Sequence, residues 1–174
     1  MEEHLVGGIP DDATTVLVLS PTIDSDAGVC SALSARAKDI LLVGYAGADV
    51  ATLRERLAAD GSEGPRIDTL DIGTDVEPND LTGQGIAITE ALSAGTEVCF
   101  DSLTALLQYA DRERSFQFLH SLGERCVDAS ATIHYHLDPA TTDDRTVAAL
   151  SMLMDAVVDT EADELRVRPE LQKD

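Results

Sequence analysis

The sequence predicts an α/β protein, a mostly parallel sheet flanked by helices, and two observations lead there. Short apolar runs alternate with stretches of helical periodicity, the pattern of strands joined by crossover helices. Several of those runs, such as Thr15–Leu19 and Ile40–Val43, are apolar almost without interruption, as strands covered on both faces must be. With four or five β–α units and right-handed crossovers, an open doubly wound sheet is expected, with any ligand site off the carboxyl ends of the strands.

Thr15–Ser20 is the first strand, ended by Pro21, and Ala27–Ala37 the first crossover helix, with Asp24 or Asp26 as N-cap. Ile40–Gly44 is the second strand. Asp49–Asp60 places Val50, Leu53 and Leu57 on one helical face and is closed by Gly61. Arg66–Ile72 is a third strand with clearer alternation. Asp80 caps a helix carrying Leu81, Ile86, Ile88 and Leu92 and ending at Gly95, after which Thr96–Asp101 is the fourth strand. Ser102–Ala110 and Asp111–Ala129 are helices, the second presenting Phe116, Leu119, Leu122 and Cys126. Ala131–Leu137 is a fifth strand, Asp144–Met154 a helix, and Ala156–Val158 with Glu164–Val167 a closing strand pair. No repeat, low-complexity segment or linker interrupts the 174 residues, so one domain over 1–174 is expected, with loose tails at 1–10 and 168–174.

Charge sets limits on partners. There are 33 acidic residues against 12 basic ones, a net charge of -21, while 44% of the residues are hydrophobic, enough for a globular core. A polyanion gains nothing from counterion release on a nucleic-acid backbone, so nucleic acid is excluded as a partner. The acids are spread along the chain and only Lys38 and Lys173 are lysines. This reads as a solvated acidic surface adapted to concentrated salt, a halophilic cytoplasm. Cys30, Cys99 and Cys126 form no C-x-x-C pair and each lies in an apolar stretch, so buried free thiols in a reducing compartment are expected. Neither Cys30 nor Cys126 has an obvious His or Arg activator, so no nucleophile is expected. Met1-Glu2-Glu3 opens no signal peptide and no apolar run approaches membrane-spanning length; the expected location is cytoplasmic, without membrane association.

Two stretches could carry chemistry. Val98-Cys99-Phe100-Asp101-Ser102-Leu103-Thr104 is an apolar strand ending in Asp, then Ser-Leu-Thr, and resembles the Walker B strand of RecA- and KaiC-type ATPases. With Asn79–Ile88, Phe118-Leu119-His120 and His134–Pro139, it is similar to a haloarchaeal family of unknown function regarded as degenerate RecA/KaiC-like domains. The similarity covers about residues 13–168, the expected domain core. It implies a P-loop NTPase architecture, and it implies Asp101 and Ser102 as the places nearest a nucleotide and its Mg²⁺; helix capping by either residue is the plain alternative. The loop that would grip a triphosphate is missing. A P-loop reads G-x-x-x-x-G-K-[ST], its backbone N–H groups and lysine neutralising the phosphates. Here Ser20-Pro21-Thr22-Ile23-Asp24-Ser25-Asp26-Ala27-Gly28 has no Lys, one Gly and two acids. ATPase activity is therefore not expected.

The second stretch is His134-x-His136-x-Asp138. Strand period sets these three on one face, about 7 Å apart between successive Cα atoms, a spacing suited to a divalent metal, with Asp101 a fourth candidate if the fourth and fifth strands are neighbours. A structural hydrogen bond from the histidines to Asp101 or Ser102 is the alternative. The leading functional expectation is a non-catalytic regulatory or protein-interaction domain that needs no cofactor and binds a protein partner or itself. The others are a divalent-metal sensor or enzyme using His134, His136 and Asp138, and a protein that binds nucleotide without hydrolysis.

Overall fold

A computed structural model describes residues 3–21, 23–45, 54–55 and 66–169. Its elements run α1 (Glu3–Gly7), β1 (Thr15–Leu19), α2 (Ile23–Ser34), β2 (Asp39–Gly44), β3 (Arg66–Asp71), α3 (Leu81–Ala91), β4 (Thr96–Asp101), α4 (Leu103–Tyr109), α5 (Arg112–Ala129), β5 (Thr132–Leu137), a 3₁₀ turn (Pro139–Thr141), α6 (Asp144–Leu153), β6 (Ala156–Asp159) and β7 (Glu164–Val167). Seven strands form one sheet in the order β3-β2-β4-β5-β1-β6-β7. All neighbours are parallel except β6 and β7, which form the antiparallel closing pair. The expected α/β class is what the chain adopts.

The central strands are buried on both faces, which is why they read as unbroken apolar runs. One face presents Leu17, Leu19, Leu41, Val43, Val98, Phe100, Ile133, Tyr135 and Leu137 to a large core completed by Leu81 and Ile88 of α3, Leu103 and Leu106 of α4, Leu119 and Leu122 of α5, and Leu150 of α6. The opposite face is thinner and divided. Val16, Val18, Ala156 and Val158 meet Leu5 of α1 and Val29 of α2, and separately Ile40 and Leu42 meet Cys30 and Cys99. Between those two small apolar clusters run the polar side chains of β4 and β5.

Three expectations need correction at the chain ends and at α2. Residues 1–10 are not uniformly loose: α1 forms, and Leu5 is buried against β1 and β6. Arg168 is likewise engaged, its Nη2 donating to Met152 O (3.1 Å) and its backbone N–H to Asp155 O (2.8 Å). Helix α2 starts at Ile23 and ends at Ser34, so Asp24 and Asp26 lie inside its first turn rather than capping it. The expected helix 49–60 falls outside the described residues, apart from Arg54 and Glu55, which are helical. Asp80 caps where read, accepting from Gly83 N–H; Asp111, expected as the first residue of its helix, is instead the cap and accepts from Arg114 N–H.

Tyr135 is fully buried and its hydroxyl has no hydrogen-bond partner among the described residues. A buried unsatisfied hydroxyl costs about 1–3 kcal/mol of desolvation. Tyr135→Phe is therefore expected to leave stability unchanged or raise it by about 1 kcal/mol, measured by chemical denaturation; a loss of that size would show a partner for the hydroxyl.

Candidate metal centre

The polar stripe on the thin face follows from strand alternation. In β4, Val98 and Phe100 point to the large core, so Glu97, Cys99 and Asp101 project the other way. In β5, Ile133, Tyr135 and Leu137 take the large core, and Thr132, His134 and His136 share the thin face. β4 and β5 are neighbours, the condition on which Asp101 is a candidate, with Cys99 opposite His134 and Phe100 opposite Tyr135, which sets Asp101 at the level of His136. Helix α2 covers this region and brings in Cys30.

Four potential ligand atoms converge there. Cys30 Sγ lies 3.3 Å from Cys99 Sγ and 3.3 Å from His134 Nε2, and Cys99 Sγ lies 3.3 Å from His136 Nε2. The four atoms from Cys30, Cys99, His134 and His136 all fall within 4.8 Å of one another, and every one of these residues is buried. The imidazoles of His134 and His136 stand edge to face, 5.2 Å between centroids. This is a buried Cys/His cluster that could hold a metal ion.

The cluster has an anchored outer partner. Glu97 is buried, its Oε2 2.7 Å from His134 Nδ1 and its Oε1 accepting from Thr132 Oγ1 at 2.5 Å. The carboxylate accepts from the His134 ring at Nδ1 and so orients Nε2 toward the sulfurs. The electrostatics follow. Burial alone would lower the His134 pKa, but the Cys30 sulfur and the Glu97 carboxylate outweigh it and raise it to about 9. The Cys30 thiol is held well below its ordinary range by its hydrogen bond with Cys99, against burial and with the help of His134. Cys126, on the other side of the sheet, is pushed up to about 12 by burial.

The expected metal residues are thus brought together in part. His134 and His136 sit side by side, but their companions are two cysteines. Asp138 lies one residue beyond the end of β5, where its Oδ1 accepts from Ala140 N–H (2.9 Å) and caps the 3₁₀ turn, while its backbone N–H donates to Thr104 Oγ1 (2.9 Å). It is not in the Cys/His cluster. Ser102 accepts from Ala105 N–H through Oγ (3.2 Å), the capping alternative raised for it. Asp101 stands at the end of β4, half-buried. Cys30 and Cys99 are buried and outside any disulfide, as expected, but Cys30, for which the sequence offers no activator, has an imidazole beside it, delivered by a strand 104 positions away. The signal available in sequence was the shared parity of Glu97 and Cys99 on one strand and of His134 and His136 on another.

The sheet order, the parallel core and the helical layers define a RecA-like ATPase fold, and solved structures agree. The chain is similar to the flagellar accessory protein FlaH from Methanocaldococcus jannaschii, with a TM-score of 0.64 and 10% identity over 91% of this chain and 75% of that one. It is similar to the Pyrococcus horikoshii OT3 protein PH0250, with a TM-score of 0.61 and 9% identity over 98% and 95% of the two chains. It also resembles the ATP synthase subunit NeqB from Nanoarcheaum equitans, with a TM-score of 0.53 and 12% identity; the match covers 84% of this chain but only 44% of that one. Identities this low speak for the fold alone. The chain itself belongs to a family of unknown function (DUF7504), whose model matches residues 3–160. No curated protein matches the sequence. No helix among the described residues is long and apolar enough to cross a membrane.

Proposed function

We propose that this chain is a non-catalytic, regulatory domain of RecA-like fold that acts by binding a protein partner rather than by hydrolysing ATP. The observation that carries the reading is the turn after β1. The strand ends at Leu19 and α2 begins at Ile23, leaving Ser20, Pro21 and Thr22 between them. A phosphate-wrapping loop needs a longer, glycine-rich connection whose N–H groups converge on the ligand, closed by a lysine. By sequence this stretch has neither, and the acids Asp24 and Asp26 follow it in the first turn of α2. Carboxylates there repel phosphate where a cation should offset it.

Support for association comes from the face of α3 and α5. A groove of about 330 Å³ runs between them, with Leu81, Phe118 and Leu122 buried in its floor, Ile86 exposed at its rim and Arg114 and Arg125 on its wall. Two arginines beside an apolar strip are conspicuous in a chain of net charge -21. An amphipathic helix of a partner, carrying acidic residues beside its apolar face, matches that surface. We place the domain in a salt-rich, reducing cytoplasm, a reading supported by its acidic surface and its three buried free cysteines.

An assay of Mg-ATP hydrolysis by the purified chain tests the non-catalytic part. Phosphate release is expected to match the protein-free blank. Turnover above that blank, abolished by Asp101→Asn, would restore an ATPase role.

A further inference from the structure

We infer that Cys30, Cys99, His134 and His136 bind one zinc ion in a closed tetrahedral site that ties α2 to β4 and β5. The geometry comes first. A tetrahedron with Zn–S near 2.3 Å and Zn–N near 2.0–2.1 Å sets its ligand atoms roughly 3.3–3.8 Å apart. The S–S contact and the two S–N contacts of the cluster, each 3.3 Å, are a few tenths of an ångström shorter than the roughly 3.8 and 3.6 Å those pairs take in such a tetrahedron, so the ligands must spread slightly to admit the ion; all four atoms already fall within 4.8 Å of one another. The two sulfurs are too far apart for a disulfide, whose S–S bond is about 2.05 Å, so both are available as thiolates.

Ligand chemistry selects the ion. Two thiolates and two imidazoles form an S₂N₂ set that suits zinc, whereas calcium and magnesium demand oxygen ligands, and among the described residues the cluster has none. Two thiolates neutralise the dication and the imidazoles remain neutral donors. Glu97 completes the arrangement from outside, holding His134 Nδ1–H so that Nε2 faces the ion, with Thr132 donating to the other carboxylate oxygen.

Burial selects the role. Cys30, Cys99 and His134 have no exposed surface and His136 has 4%, so no coordination position opens to substrate or water. A closed four-ligand site is structural. The thin face needs such a staple: its apolar residues form two small clusters, with the polar stripe of β4 and β5 between them, under α2.

The test uses the full chain, expressed with zinc, purified in high salt and exchanged into metal-free buffer. Elemental analysis is expected to find one zinc per chain in the wild type and in Cys126→Ser, and its loss in the double variant Cys30→Ser/Cys99→Ser. Should the double variant not fold, cobalt replacement in the wild type decides. Thiolate-to-cobalt charge transfer with the intense visible absorption of tetrahedral cobalt supports the site, and a weak octahedral spectrum overturns it. A folded wild type that neither retains zinc nor takes up cobalt, zinc retained by a folded double variant, or a different metal on these ligands would each overturn the assignment.

Discussion

Glu97→Ala is expected to lower the unfolding free energy by about 3–5 kcal/mol, the range found when one member of a buried ionic pair is removed and the other stays. Glu97 sits at 6% exposure and accepts from the buried His134 ring and from the part-buried Thr132 hydroxyl. Alanine leaves the fully buried His134 ring without its carboxylate partner. Glu97→Gln keeps an acceptor for one donor but points an amide N–H at the other, so about 2 kcal/mol is expected there. Denaturant midpoints measured in high salt give both values. A Glu97→Ala protein within 1 kcal/mol of wild type would mean that the pair contributes no more than an exposed one.

Salt should have the next largest effect. Even if every basic residue were paired, the excess of acids over bases stays at 21, spread over a chain of only 174 residues. The ion pairs at the surface do little to offset this, since Arg36–Asp11 and Arg66–Asp68 are both well exposed. At about 0.1 M salt the Debye length is about 10 Å and neighbouring carboxylates repel; at about 1 M it is about 3 Å and the repulsion is screened. A gain of about 3 kcal/mol, or roughly 10 °C in melting temperature, is expected across that interval. A melting temperature that stays flat or falls would show that the acids are not a net burden on the fold.

The class of fold was legible because burial on both faces of a parallel sheet leaves an unmistakable pattern: Leu17 and Val18, adjacent in sequence, serve opposite cores. The start of α2 was not, since Asp24 and Asp26 are good N-caps by composition and only the fold shows the helix beginning before them. The site was half legible. His134 and His136 announce themselves by strand period, and the same rule carried on to Asp138 fails because β5 stops at Leu137 and the next residue caps a turn. Cys30 and Cys99 are separated by 69 positions and look like core residues, which they also are. Parity marks Glu97 and Cys99 as facing the same way, but nothing along the chain says that their strand lies against His134. Pairing of strands far apart in sequence is a tertiary fact.

The central claim is that a RecA-like chain has lost the means to hold a triphosphate at the end of its first strand. Titration calorimetry with Mg-ATP in high salt examines it most directly, on the wild-type chain. No heat beyond dilution is expected up to about 1 mM nucleotide, a level at which even a weak specific site of about -4 kcal/mol would half fill. Saturable binding with a micromolar dissociation constant, weakened by Asp101→Asn, would contradict the account.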